Sequence, residues 1–175
     1  MEPPDPSAPL VGVRDLVRAA QRGDPAAMDE LLRALSPYVT RICGVIALDR
    51  GEDAVQETFV AVLRHLRTLR EPDAVRGWVR RIAVREAIRA ASGGREVASP
   101  AGDVDRPAAL PDLDAVMDVR AALADLPPLH RAVLVLRDLD GLSEAEVAAL
   151  LQVPEGTVKS RLHRARAAAR EVLSR

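Results

Sequence analysis

The residues best suited to chemistry in this 175-residue chain are cationic. Residues 154–175 carry one lysine and five arginines against two glutamates, while the whole chain has a formal net charge of −1. Lys159, Arg161, Arg164, Arg166 and Arg170 fall in one short segment, with Ser160 and His163 among them. A basic block on a near-neutral chain is the electrostatic pattern of a local polyanion contact. A solvated helix face carries the same charges, so charge alone leaves both readings open. Asp53 and Glu57, four apart, share a helix face as a metal-carboxylate pair would. Bundle sites of that kind use Glu-x-x-His, and none of His65, His130 and His163 has a glutamate three residues before it. No phosphate-binding glycine loop or nucleophile elbow occurs. The single cysteine, Cys43, excludes a disulfide framework and a cysteine-based zinc site, and fits a reducing cytosol. The expectation is a binding protein with no catalytic residues, no cofactor and no metal.

The elements around the basic block narrow this further. Ser143 with Glu146 forms a capping box that opens a helix over 143–151, buried through Val147, Leu150 and Leu151. Gln152-Val153 ends it, and Pro154 stands where a following helix takes proline at its first position. That helix, over 154–174, repeats Val158, Leu162, Ala165, Ala169 and Val172 at spacings of four and three. A short helix, a tight turn and a basic second helix make a helix-turn-helix, whose second helix enters the major groove N-terminus first. The plain alternative is a helical hairpin with a charged surface. Two more helices, over 115–125 and 128–139, precede this pair, the latter closed by Asp140-Gly141.

The first half reads as four helices and no strand. The first runs over 10–22 and stops at Gly23. Asp24-Pro25 is an N-cap followed by proline, opening a helix with Met28, Leu31, Leu32, Leu35, Val39, Ile42 and Ile46 at helical spacing and a bend at Ser36-Pro37. A third begins at Asp49 with Glu52 as a capping-box acid and buries Val55, Phe59, Val62, Leu66 and Leu69. A fourth covers 74–91 with Val75, Trp78, Val79 and Ile82 inward. Residues 1–9, with four prolines, form a disordered lead, and 92–114, with three glycines and three prolines, form an acidic linker. The fold class is all-α: a helical domain over 10–91 and a helix-turn-helix domain over 115–175. No run of about 18 uninterrupted apolar residues predicts a membrane span, and the N-terminus has no export signal.

These motifs carry a resemblance. The run LDGLSEAEVAALLQVPEGTVKSRLHRARAAAR, above all GTVKSRLHRAR (156–166), resembles the promoter-reading domain of bacterial RNA polymerase sigma factors of the extracytoplasmic-function type. EDAVQETF (52–59) resembles that family's polymerase-docking helix, and GWVRRIAVREAIRAA (77–91) the helix that handles the opened strand. The resemblance implies core RNA polymerase and promoter DNA, duplex and single-stranded, as partners, with an anti-sigma factor as a further one. It implies polymerase contacts by Asp53, Gln56, Glu57 and Arg64, and single-strand contacts by Arg76, Arg81, Arg85 and Arg89. Duplex contacts would come from Lys159, Ser160, Arg161, His163 and Arg164. Three positions depart from the pattern: Ala54 replaces the usual leucine, Arg85 the usual asparagine, and His163 a residue that is often aromatic. Core packing is the expectation for Trp78, which shares a stripe with Val75 and Ile82.

A 23-residue coil has an end-to-end distance of about 26 Å and stretches to roughly 80 Å. Two duplex turns are about 70 Å, so domains that bridge such a distance need the linker held nearly extended, with polymerase doing the holding. The competing expectation is a helix-turn-helix regulator that binds DNA without joining polymerase. It would need a ligand or phosphoacceptor domain, usually α/β, and the first 91 residues offer no strand.

Overall fold

The computed structural model describes residues 12–93 and 123–173, and every regular element among them is helical. The proline-rich lead, nearly all of the linker and most of the helix expected over 115–125 lie outside the described residues. In chain order the helices are α1 (Val13–Gln21), α2 (Pro25–Ala47), α3 (Gly51–His65), α4 (Val75–Ala91), α5 (Pro128–Leu134), α6 (Glu144–Leu151) and α7 (Glu155–Leu173).

Local sequence sets most of the boundaries. Gly23 takes a φ of +94°, a left-handed turn that suits glycine, and releases the chain from α1. Asp24 then accepts hydrogen bonds from the amides of Ala26 and Ala27 at 2.9 and 3.2 Å, satisfying two of the unpaired donors at the start of α2. α2 continues as one helix through Pro37. Its inward face, Leu31, Leu35, Val39, Ile42 and Ile46, is at most 1% exposed. Each such side chain contributes roughly 1.5–3 kcal/mol on burial. A stretch beginning at Pro25 passes the length and hydropathy test for a membrane span, and this buried face accounts for its apolar character.

The capping box expected at Asp49 does not form. Leu48–Arg50 is a tight 3-10 turn running straight into α3, so Asp49 lies inside a helical turn and the N-cap is Arg50, without a side-chain cap bond. The buried stripe of α3 is also shifted. Ala54, Thr58 and Val62 face inward, while Val55 and Phe59 are half-buried. The cause lies at Gly51, where a Cβ would stand 3.1 Å from the Cα of Gly44. α2 and α3 touch backbone to backbone there, and the small Ala54 continues the close approach.

In the C-terminal unit, the helix expected over 128–139 is α5 followed by a π turn, Val135–Leu139, and Gly141 at a φ of +68° then turns the chain. The Ser143–Glu146 capping box is complete in both directions, at 3.2 and 2.7 Å. Gln152, left-handed at a φ of 55°, makes the turn. Pro154 stands one residue before α7 and not within it; its carbonyl accepts from Thr157 and Val158.

The two units pack together. α5 lies against α2 and α4, and Ala132, Val133 and Leu136 share one apolar cluster with the core of α1–α4. Two polar ties reinforce this contact. Arg131, 5% exposed, donates to the carbonyl of Ile46 in the last turn of α2 at 2.7 Å, and to Leu123 and Leu126 at 3.1 and 2.5 Å. Asp140 reaches the opposite unit through Tyr38, Arg41 and Arg80.

Candidate nucleic-acid and protein interfaces

α7 is seated by Val158, Leu162 and Ala165, each at most 5% exposed, against α5 and α6. Its flanks are pinned by charge. Arg166 makes a two-pronged pair with Asp138 of the π turn, at 3.1 Å through Nε, and Lys159 lies 3.6 Å from Glu144 at the start of α6. On the other flank Arg161 is half-buried, and its Nη1 has no hydrogen-bond partner among the described residues. His130 of α5 stands by that flank. Burial, then the charges of Arg161 and Arg164, hold its imidazole below the usual pKa, which favours the neutral ring.

Between the flanks, helical spacing turns Ser160, His163 and Arg164 outward, and all three are exposed. The Ser160 hydroxyl donates to the Thr157 carbonyl at 3.0 Å. A rigid helix presenting an exposed guanidinium, imidazole and hydroxyl near its N-terminal half has the form of a major-groove reader. The five residues expected to touch duplex DNA therefore share one helix but not one state: Lys159 is paired and Arg161 is half-sunk.

In the N-terminal bundle, Asp53, Gln56 and Arg64 are exposed on the outer face of α3, opposite the buried Ala54, Thr58 and Val62. Leu63, 52% exposed, lies in the same face. Sequence reasoning missed it because its apolar type assigns it inward, although its phase does not. A shallow groove of about 350 Å³ adjoins it, walled by Ala20, Met28, Leu63 and Leu66. Glu57 turns toward α4, where it stands 3.5 Å from Arg89.

α4 separates the four arginines expected to hold a single strand. Arg81, Arg85 and Arg89 are exposed along one side. The carboxylate of Glu86, nearly buried, takes Arg85 at 3.0 Å and Arg89 at 2.7 Å. Arg76 points elsewhere, its guanidinium 4.5 Å over the ring of Tyr38. Trp78 is half-buried against the core. Cys43 is fully buried; burial, opposed by a contact from Thr58, pushes its thiol up to about 12, so it stays protonated. Among the described residues no three His, Cys, Asp or Glu side chains converge as a metal site would require.

Two family models match the chain, Sigma-70 region 2 over residues 27–95 and Sigma-70, region 4 over residues 117–168. The ECF RNA polymerase sigma factor SigE of Mycolicibacterium smegmatis is 37% identical over 169 residues, which cover 87% of this chain and 65% of that protein. SigM of Mycobacterium tuberculosis, also an ECF RNA polymerase sigma factor, is 32% identical over 182 residues, 95% of this chain and 91% of that one. Among solved structures, CnrH in complex with the cytosolic domain of CnrY aligns with a TM-score of 0.63 at 25% identity, over 93% of this chain and 97% of that one. The sigma factor RpoE of Bartonella quintana, in complex with the anti-sigma factor NepR, has the same fold, with a TM-score of 0.59 at 23% identity over 83% and 96% of the two chains. Two sigma regions in this order, with relatives that align along most of their length, place the chain in the extracytoplasmic-function RNA polymerase sigma factor family of non-catalytic, promoter-specific transcription-initiation factors.

Proposed function

We propose that the chain joins core RNA polymerase through the outer face of α3 and reads the upstream promoter element as duplex with α7. It then holds the opened downstream element with α4. Asp53, Gln56 and Arg64 make the polar contacts to polymerase, with Leu63 as their apolar centre. A face that combines fixed polar groups with one exposed leucine suits a protein partner. Ser160, His163 and Arg164 face the major groove. Lys159 and Arg161 lie at its edges, where cations neutralise phosphates and set register. Arg81, Arg85 and Arg89 line the single strand, their charge tempered by Glu86 and Glu57. The protein has no catalytic role of its own and acts in the cytoplasm, where its polymerase partner works. An anti-sigma factor of the kind solved with the Bartonella protein is a further partner.

The single observation that carries this reading is the helix-turn-helix, capped at Ser143 and pinned at Asp138–Arg166, which leaves Arg164 and its neighbours outward on a fixed helix. The test is run-off transcription with purified core enzyme on a promoter library. Initiation at a defined class of promoters supports the reading. Tight DNA binding by the chain alone, with no transcription, would replace it with a regulator that works without polymerase.

A further inference from the structure

Asp140 closes the contact between the two units in a manner that helix packing does not require. Its carboxylate is 2% exposed. It accepts from the Tyr38 hydroxyl at 2.6 Å and from Arg41 Nη2 at 3.2 Å, and Arg80 Nε lies 2.8 Å away. Arg80 Nε also donates to the Tyr38 hydroxyl at 2.9 Å. Two guanidinium groups lie over the Tyr38 ring, Arg76 at 4.5 Å and Arg41 at 5.9 Å from its centroid. Two cations, Arg41 of α2 and Arg80 of α4, thus hold one carboxylate from the other unit, and Arg76 lies beside them over the Tyr38 ring. The charge of Arg80 is also felt by Glu146. The Arg41 Nε is buried and has no hydrogen-bond partner among the described residues, so the cluster holds more donors than one carboxylate uses.

Arginine forks around an anion, beside a tyrosine ring with cations over it, are the parts from which single-stranded nucleic acid sites are made. The guanidinium groups take phosphate, and the Tyr38 hydroxyl, once released from Asp140, adds a further donor to it. All four side chains belong to the N-terminal bundle and remain together when the C-terminal unit leaves. We propose that Tyr38, Arg41, Arg76 and Arg80 form a socket for the phosphate backbone of single-stranded DNA, and that Asp140 occupies it as an internal phosphate substitute. The closed chain and the bound strand are then alternatives. This socket lies on a different side of α4 from Arg81, Arg85 and Arg89. It also gives a role to Arg76, which stands apart from the residues with which the resemblance groups it. The inference rests on the reading of the N-terminal bundle as a strand-binding module and adds a second, gated contact to it.

The experiment uses the full chain and a short fluorescein-labelled oligothymidylate. Anisotropy gives the affinity, small-angle scattering gives the radius of gyration, and circular dichroism checks the helices. If the open form of the wild type is populated to about a tenth, Asp140→Ala raises strand affinity roughly tenfold and enlarges the radius of gyration. Adding Arg41→Ala and Arg80→Ala to Asp140→Ala keeps the chain open and removes the gain. An open Asp140→Ala chain with unchanged affinity overturns the socket, and a chain that stays closed overturns the latch. The wild type gives a second test should Asp140→Ala fail to fold. Saturating oligothymidylate must expand it, and a saturated complex as compact as the free chain refutes the proposal. Run-off transcription with core polymerase, carried out in parallel on the wild type, separates the two levels. Promoter-specific initiation without strand-driven opening leaves the sigma-factor reading standing and removes only the socket.

Discussion

Replacing Arg131 with methionine tests the contact between the two units most directly. Methionine keeps the flexible, apolar stem and removes the guanidinium. Three carbonyls lose the guanidinium: Ile46 in the last turn of α2, and Leu123 and Leu126 ahead of α5, of which Leu123 keeps the Leu126 amide as a donor. Carbonyls in the last turn of a helix have no partner within the helix and carry the negative end of its dipole, so a cation there is doubly favoured. Burial lowers the pKa of Arg131, but an arginine remains cationic, so the cost of desolvating that charge must be subtracted. Hydrogen bonds from charged groups contribute about 1.5–3 kcal/mol each before this correction. After it, three bonds give a net loss of about 3–5 kcal/mol, comparable to breaking a buried pair. Against a total stability of about 5–15 kcal/mol, the loss is large. Urea unfolding followed by circular dichroism measures it. Because the bond to Ile46 crosses between the units, the variant should also unfold in two phases, where the wild type shows a more cooperative transition. A variant within about 0.5 kcal/mol of the wild type, a change typical of surface substitutions, would refute the reasoning.

Four further outcomes follow. Asp53→Arg should weaken binding to core polymerase without moving the melting temperature, since Asp53 is exposed on the face opposite the packed stripe; a lowered melting temperature, or unchanged affinity, would count against the docking face. Arg164→Ala should reduce promoter-duplex affinity and make the salt dependence shallower by about one unit of slope if it contacts phosphate, with polymerase binding unchanged. Ser143→Ala should cost about 1 kcal/mol through loss of the cap. Hydrogen bonds from the Ser143 side chain and backbone hold the Glu146 carboxyl below its usual range. The wild-type advantage is therefore complete above the unfolded glutamate pKa and shrinks as pH falls through the lower folded value. Tyr38 is the sole tyrosine. Burial, then its bond to Asp140, pushes its phenol up to about 12, against an opposing contribution from Arg80. Phenolate absorbance should rise in a single late step. The stability linked to it is complete below the ordinary tyrosine pKa and is lost as pH climbs from there through about 12. A phenol that titrates at the ordinary tyrosine value would mean that the contact with Asp140 is absent in solution.

Features that depend on near neighbours are legible in the sequence. Gly23, Asp24-Pro25 and the Ser143–Glu146 box act within four residues, and each sets its boundary as expected. The box at Asp49 fails for a reason that is also local. A capping rule presumes extended chain before the helix, and here a 3-10 turn fills that place. Long-range pairs leave no such trace. Tyr38 and Asp140 are 102 residues apart and Arg131 and Ile46 are 85 apart, so no periodicity links them. Asp140 in particular reads as half of an Asp-Gly turn. Its sequence context explains the bend and conceals the carboxylate's second role. Arg131 does leave a signal in retrospect, as a cation inside the apolar run LHRAVLVL with no acid within a helical turn. Such a residue must find carbonyls or a distant carboxylate if it is buried.

The site residues divide along the same line. Asp53, Gln56 and Arg64 could be placed together from spacing alone because they occupy one exposed face of one helix. Arg76 is joined to Arg81, Arg85 and Arg89 by the resemblance and not by spacing, since helical geometry already sets it on the far side of α4 from their stripe; what it meets there, the Tyr38 ring on another helix, leaves no trace in the sequence. The contact between the units gives this separation mechanical meaning. If the two units contact promoter elements about two duplex turns apart, roughly 70 Å, they cannot do so while α5 rests on α2 and α4. Opening must break the bonds of Arg131 and Asp140 and expose apolar surface, so the free energy for it has to come from surfaces that bind the separated units better than they bind each other. Polymerase and promoter DNA together offer such surfaces. A chain closed in this way is expected to bind promoter duplex weakly by itself and more tightly once core polymerase is added, which anisotropy with and without the enzyme measures.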